Sequence, residues 1–431
     1  MKKEIKERIE AVRRGEVPEG YRRTRAGLMP LEWRGDLAAK DVFRNHTNKK
    51  HNGEFQVLSA TQDRGIIPRS EVDIDIKYAE ENIGSYKKVD PGDFVISLRS
   101  FQGGIEYSEY EGLVSPAYTV LKATKPIIDN FYRAYFKTPD FISRLNGAVY
   151  GIRDGKQIGF DDFGDLAIHY PSVEEQQKIA EILATCDRAI ELKREEVDGV
   201  NKLKRSLNNL LFPCSGENAP MLRFPGFGEG WQRQKLLSCI EKITDFRGRT
   251  PKKLGMEWSE DGYLALSALN VKDGYIDFSQ DVHYGDEALY SKWMRGNELH
   301  KGQVVFTTEA PMGNVAQIPD DRGYILSQRT IAFDVKEAVI TEDFLAILLR
   351  TPTVLAALNA LSTGGTAKGV SQRTLADLDV VIPTDLREQE AIAALFTNLN
   401  KLIRLHQQEL EEQQNKKQAL MQLLLTGLVR V

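Results

Sequence analysis

Two stretches of the chain, residues 173–212 and 385–426, contain no proline and a single glycine, Gly199, and positions taken in alternating steps of three and four are mostly apolar, seven of nine in the first and six of nine in the second. In the first the positions are Leu183, Cys186, Ile190, Lys193, Val197, Val200, Lys204, Leu207 and Leu211. In the second they are Phe396, Leu399, Ile403, His406, Leu410, Gln413, Lys417, Leu420 and Leu424. An average spacing of 3.5 residues sustained this long predicts a coiled-coil seam, because a helix lying on its own globule carries a wider and shorter stripe. About 40 residues at a rise of 1.5 Å give rods of about 60 Å each. Two such rods in one chain, each following a globular segment, predict an antiparallel pair.

The rest of the pattern is short-range. Runs such as FVISL, YTVLKA, VVFTT and TIAFDV are rich in β-branched and aromatic residues and are broken by Gly, Pro, Asn and Asp, as strands and their turns are. Helical stretches near 130–146 and 342–361 add an α component. These features occur twice, at an offset that drifts from about 199 to 213 residues. Leu58–Gly65 parallels Leu266–Gly274, Pro91–Ser97 parallels Lys301–Thr307, Thr138-Pro139 parallels Thr351-Pro352, and Asp165–Pro171 parallels Asp377–Pro383. Glu175-Gln176 with Ile179-Ala180 matches Glu388-Gln389 with Ile392-Ala393. The order of the matches makes the chain a duplication. The fold expected is α+β: a helical extension (1–27), a mixed domain (28–171), a first long helix (172–212), a linker (213–230), a second mixed domain (231–383) and a second long helix (384–426), with pseudo-two-fold symmetry.

Lys+Arg 58 against Asp+Glu 62 excludes a global polycation, so contact with nucleic acid has to come from local basic patches. Three scattered cysteines offer neither a disulfide framework nor a zinc site. No run approaches the ~18 apolar residues of a membrane span, and a cytoplasmic protein without membrane contact is expected. Nucleotide loops, nucleophile elbows and HExxH motifs are missing from the sequence. Two loose PD…DxK patterns, Asp140 with Asp154 and Asp320 with Asp334, suggest a metal-dependent nuclease. They fall at different places in the repeat, whereas a duplicated site should coincide. Basic and amide side chains on loops fit DNA contact better, with Lys and Arg for phosphates and Arg, Asn and Gln for base edges. In the first half these are Asn45, His46, Asn48, Lys49, Lys50, Arg64, Arg99 and Gln102. In the second they are Arg247, Arg249, Lys252, Lys253, Gln328 and Arg329. Such a face must be segregated from acidic runs such as residues 71–75. A non-DNA scaffold built on the coiled coil is a further alternative, but it gives no reason for two large domains with such loops.

Trp-led units (Trp33, Trp231), each closed by a proline, a Glu-Gln-x-x-Ile-Ala segment and a long helix, resemble the specificity (S) subunit of Type I restriction–modification systems. The linker Leu222–Phe227 and the opener Gly20–Trp33 strengthen the resemblance. It implies that each domain reads one half of a split double-stranded DNA target, while the helices set the gap and dock two methyltransferase subunits. It also implies that restriction/translocase subunits join them, that S-adenosylmethionine, ATP and Mg belong to those partners, and that this chain is non-catalytic and binds no cofactor. The first unit carries GIRDGKQIGF (151–160) where the second has GGTAKGVS (364–371), so roles in that loop do not carry over.

Overall fold

The computed structural model describes residues 3–34, 37–72, 80–98, 100–148, 158–280, 282–362 and 369–431. Its contacts divide the chain into two compact units, residues 1–193 with 409–431, and residues 194–408.

Each unit is built on an antiparallel four-stranded sheet of the same order. In the first unit the strands run Phe43–Asn45, Thr119–Ala123, Phe94–Ile96, Glu106–Tyr107; in the second, Ile240–Asp245, Thr330–Val335, Val304–Thr307, Val315–Gln317. The duplicated segments PGDFVIS and KGQVVFT thus supply the same third strand. These strands are buried on both faces (Val304–Thr307 entirely so), which is why they read as unbroken apolar runs. The second unit adds a three-stranded sheet in which Tyr263–Leu266 pairs parallel with Tyr324–Leu326. Its first strand, Trp231–Lys235, pairs with its last, Asp379–Pro383, in the register Trp231 to Pro383.

The Thr-Pro in each helical stretch divides it into two helices: Asp129–Tyr135 and Pro139–Ala148, then Glu342–Leu348 and Pro352–Leu361. Thr351 caps the latter by accepting from the Val354 N–H, and Pro352 fills a position whose N–H would lack a partner. The extension expected to be helical over 1–27 is helical only in its first half. The helix ends at Arg13, and Tyr21–Thr24 pairs with Gly27–Pro30 as a hairpin. Ala26 and Met29 of that hairpin are fully buried in the first core, beside Trp33, Tyr135 and Phe141.

The long helices are Val173–Leu211 and Leu386–Leu425. Each contributes to both units. In the first unit, Ile179 and Leu183 share a core with Leu424 and Leu425, and Leu420 and Met421 pack against it. Asp187 pairs with Lys417 and Lys193 with Glu409, so residue numbers rise on one helix as they fall on the other. In the second unit Leu211 shares a core with Ile392, Phe396 and Leu399, with Val200 and Leu207 packed against it, and His406 pairs with Glu196 at 3.3 Å. The helices are therefore antiparallel. The predicted seam is their contact line: Ile190, Val197 and Ile403 are also buried, and Leu410 and Leu420 half-buried.

The Glu-Gln pair locks each helix start to its domain. Gln176 accepts from the Ile128 N–H (2.9 Å) and donates to the Pro171 carbonyl (3.0 Å). Gln389 accepts from the Thr341 N–H and donates to the carbonyls of Val339 and Pro383, all at 2.9 Å. Buried Glu175 accepts from Trp33 Nε1 and from Arg430, and buried Glu388 takes two hydrogen bonds from Arg223. No single helix among the described residues is long and apolar enough to cross a membrane.

Candidate nucleic-acid interface

In the second unit five loop segments converge on a cleft of about 660 Å³. Its rim carries Arg249, Lys252, Gln328 and Arg329, which the sequence proposed from two separate stretches. Its walls are Met256, Trp258, Leu269 and Trp293. Trp258 packs on Trp293 (5.7 Å between centroids) and stacks on His283 (5.5 Å, 18°). Lys252 is exposed and free to meet a phosphate.

The cations differ in how they are held. Arg249 donates to the Trp293 carbonyl and lies 4.1 Å from the centroid of the Phe246 ring, so its guanidinium props the cleft wall rather than projecting from it. Gln328 donates to the Arg249 carbonyl at 3.1 Å. Lys253 Nζ donates to the Gly248 carbonyl at 2.6 Å, folding the loop on itself, and Arg247 pairs with Asp245 at 3.3 Å. Arg329 pairs with Glu309 at 3.0 Å from a left-handed backbone, φ 65°. Sequence reasoning missed Glu309, Trp258 and Trp293. An acid in a loop and two scattered tryptophans carry no pattern of their own.

In the first unit the residues lie on separate features. Asn45 ends a sheet strand and is exposed. The His46 N–H donates to the Val120 carbonyl, Asn48 Oδ1 accepts from the Lys50 N–H, and Lys49 and Lys50 are exposed. Lys87 joins this cluster: burial, then the charge of Lys49, holds its ammonium below the usual lysine value. Arg64 donates to the Glu71 carbonyl at 2.8 Å, and Gln102 is exposed in the short helix Ser100–Gly103. Arg99 lies outside the described residues.

The three nuclease-like carboxylates among the described residues each have partners of their own. Asp140 pairs with Arg144, and Asp334 accepts from Gln303. Asp320 accepts from Arg322 and Tyr324, and the Arg322 hydrogen bond draws its carboxyl down to about 2. Asp154 lies outside the described residues.

The Type I restriction modification DNA specificity domain matches twice, over residues 35–202 and 244–414. The chain is 26% identical over 352 residues to the Type I restriction enzyme MjaVIII specificity subunit of Methanocaldococcus jannaschii, covering 80% of each chain. Two solved structures share its fold. One, from work on complex assembly and conformational transition of the type I R-M system, superposes with a TM-score of 0.57 at 13% identity, covering 96% of this chain and 100% of that one. The other, a Type-I restriction-modification system S subunit from M. genitalium, gives 0.53 at 12% identity, covering 90% and 94%. Two domain matches that together span most of the sequence, each carried by a sheet of the same strand order and a long helix, place this chain in the Type I restriction modification DNA specificity family.

Proposed function

We propose that this chain is the non-catalytic DNA-recognition subunit of a Type I restriction–modification complex, each domain reading one half of a bipartite double-stranded target. The paired helices set the gap between the half-sites and dock two methyltransferase subunits. Restriction/translocase subunits complete the assembly, and S-adenosylmethionine, ATP and Mg act in the partner subunits. The observation that carries this reading is the repetition of one arrangement: a domain built on a four-stranded sheet of the same strand order, locked through Glu-Gln to a helix of an antiparallel pair. A duplicated reader whose halves share a pair of helices suits a split site.

Two docks are supported by exposed leucines outside the seam. Leu192 and Leu405, 57% and 45% exposed, occupy the same place in the two repeats. Exposed leucines on helices whose seams are already filled suit a helical partner. The test is methylation mapping of DNA from cells expressing this chain with its cognate methyltransferase. A two-part methylated sequence with a fixed gap is expected. A continuous site, or methylation that ignores this chain, refutes the reading.

A further inference from the structure

We propose that Arg329 and Glu309 together read one G·C base pair in the major groove. The guanidinium donates to guanine O6 and N7, and the carboxylate accepts from the cytosine N4 amine. This assignment rests on the DNA-reading role proposed above.

The two side chains meet at 3.0 Å and stay half-exposed, 55% and 45%. Arg329 lies on the rim of the second domain's cleft, beside Lys252, Gln328 and Ala310. An ion pair this exposed contributes little to stability, so it does not account for the backbone that carries it. Arg329 has φ 65° and Ala310, next to Glu309, has φ 48°, two of three left-handed non-glycine residues among those described. Side chains disfavour that conformation, and it persists where surrounding structure imposes it, commonly at ligand clamps. Here the surroundings do impose it. The Arg329 carbonyl accepts from the Thr308 N–H at 2.8 Å, and both Thr308 and Thr330 are buried. The Thr330 hydroxyl bonds to the carbonyls of Leu266 and Ser327 at 3.0 and 2.8 Å. The rim is anchored on both sides of Arg329 while its side chain remains outside.

The chemistry of the pair selects the ligand. A surface that only gripped phosphates would gain nothing from a carboxylate, which phosphates repel. In the major groove a G·C pair presents two acceptors from guanine next to one donor from cytosine, whereas A·T places its donor between acceptors. An arginine beside a glutamate is the complement of the first pattern and mismatches the second. Before DNA binds, Glu309 keeps the guanidinium in position, so less ordering remains to be done on contact.

The experiment uses the chain assembled with its methyltransferase, its mapped site, and every single-base-pair variant of the half read by the second domain. The wild type is expected to lose about tenfold or more in affinity when one G·C pair is replaced. Arg329→Gly, which retains the left-handed backbone, should abolish that preference at that position alone, and Glu309→Ala should reduce it there. They should leave the other half-site, and the thermal unfolding of the complex, unchanged. Guanine replaced by 7-deazaguanine there lacks N7, and should weaken the wild type but not Arg329→Gly. Full specificity in both variants, relaxation at an A·T pair, or indifference of the wild type to 7-deazaguanine each overturns the assignment while the DNA-reading role stands. A wild-type complex with no half-site preference overturns both.

Discussion

Arg430 grips Glu175 across 255 positions of sequence, its Nη2 lying 2.9 Å from Oε2, and Arg223 repeats the grip on Glu388 at 2.6 and 2.8 Å. In both units an arginine that follows one long helix secures the acid that opens the other. Arg430→Ala leaves a nearly buried carboxylate with Trp33 Nε1 as its remaining partner. The expected loss is about 2–3 kcal/mol, below the ~3–5 kcal/mol of a fully buried pair because the Arg430 side chain is one-third exposed (33%). Urea unfolding followed by tryptophan fluorescence measures it. Adding Glu175→Gln to Arg430→Ala should cost less than the sum of the two single changes.

One heptad inserted in each long helix at matched positions keeps the seam in register. It should lengthen the pair by about 10 Å, seven residues at 1.5 Å, or about three base pairs at roughly 3.4 Å each. Methylation mapping should return the same half-sites with a wider gap. An unchanged gap with full activity means the helices are not the spacer.

Lys252 and Arg249 line one cleft but should fail differently. On the proposed DNA-reading role, Lys252→Ala removes an exposed ammonium available to a phosphate, so binding should weaken alike on all sequences and the salt dependence flatten by about one unit. Arg249→Ala leaves the Trp293 carbonyl without its donor, and the expected result is about 1–3 kcal/mol lost from the second domain's stability. Unfolding curves and salt titrations on matched and mismatched sites separate the two.

Leu192→Glu and Leu405→Glu each place a charge on one of two repeat-equivalent exposed positions. If these positions mark the two proposed docks, each change should lower the number of methyltransferase subunits bound per chain by one, and the double variant should bind none, as read by native mass spectrometry. Retention of two subunits by the double variant would place the docks elsewhere.

His169 is buried in the first unit with Nδ1 2.8 Å from the Leu425 carbonyl and Nε2 3.0 Å from that of Ala26. Both carbonyls favour the protonated ring, but burial, the larger influence, sets its value below the ordinary one. The unfolded chain therefore takes up the proton first. This contribution to stability is present above about pH 6.5 and is lost as pH falls below it. Urea midpoints between pH 7.5 and 5.5 should fall with acid, and His169→Gln should flatten that slope.

The paired helices were legible because a seam writes its period into the sequence, down to the polar insertions Lys193, His406 and Lys417, beside which the structure places Glu409, Glu196 and Asp187. The strands were legible as apolar runs, but their order was not, since nothing in FVISL names YTVLKA as its neighbour. The Glu-Gln motif was visible and its work was not. Its partners at Ile128, Thr341, Arg223 and Arg430 are far away in sequence, and the first two are backbone groups with no residue preference. The cleft was half legible: loop cations suggested Arg249 and Arg329 equally. A carbonyl 44 residues from Arg249 makes it a strut, and Glu309 leaves Arg329 at the surface.

Because each long helix completes both units, the order of synthesis and the order of folding part company. Residues 194–408 form a contiguous unit that can close once they emerge from the ribosome. The first unit, although translated first, must wait for Leu424 and Leu425 to cover Ile179 and Leu183. From Leu183 to Leu424 is 241 residues, roughly 12 to 48 s at about 5–20 residues per second. Throughout that interval the nascent chain carries an uncovered apolar helix face, so the first-made half is the one in greater need of a chaperone.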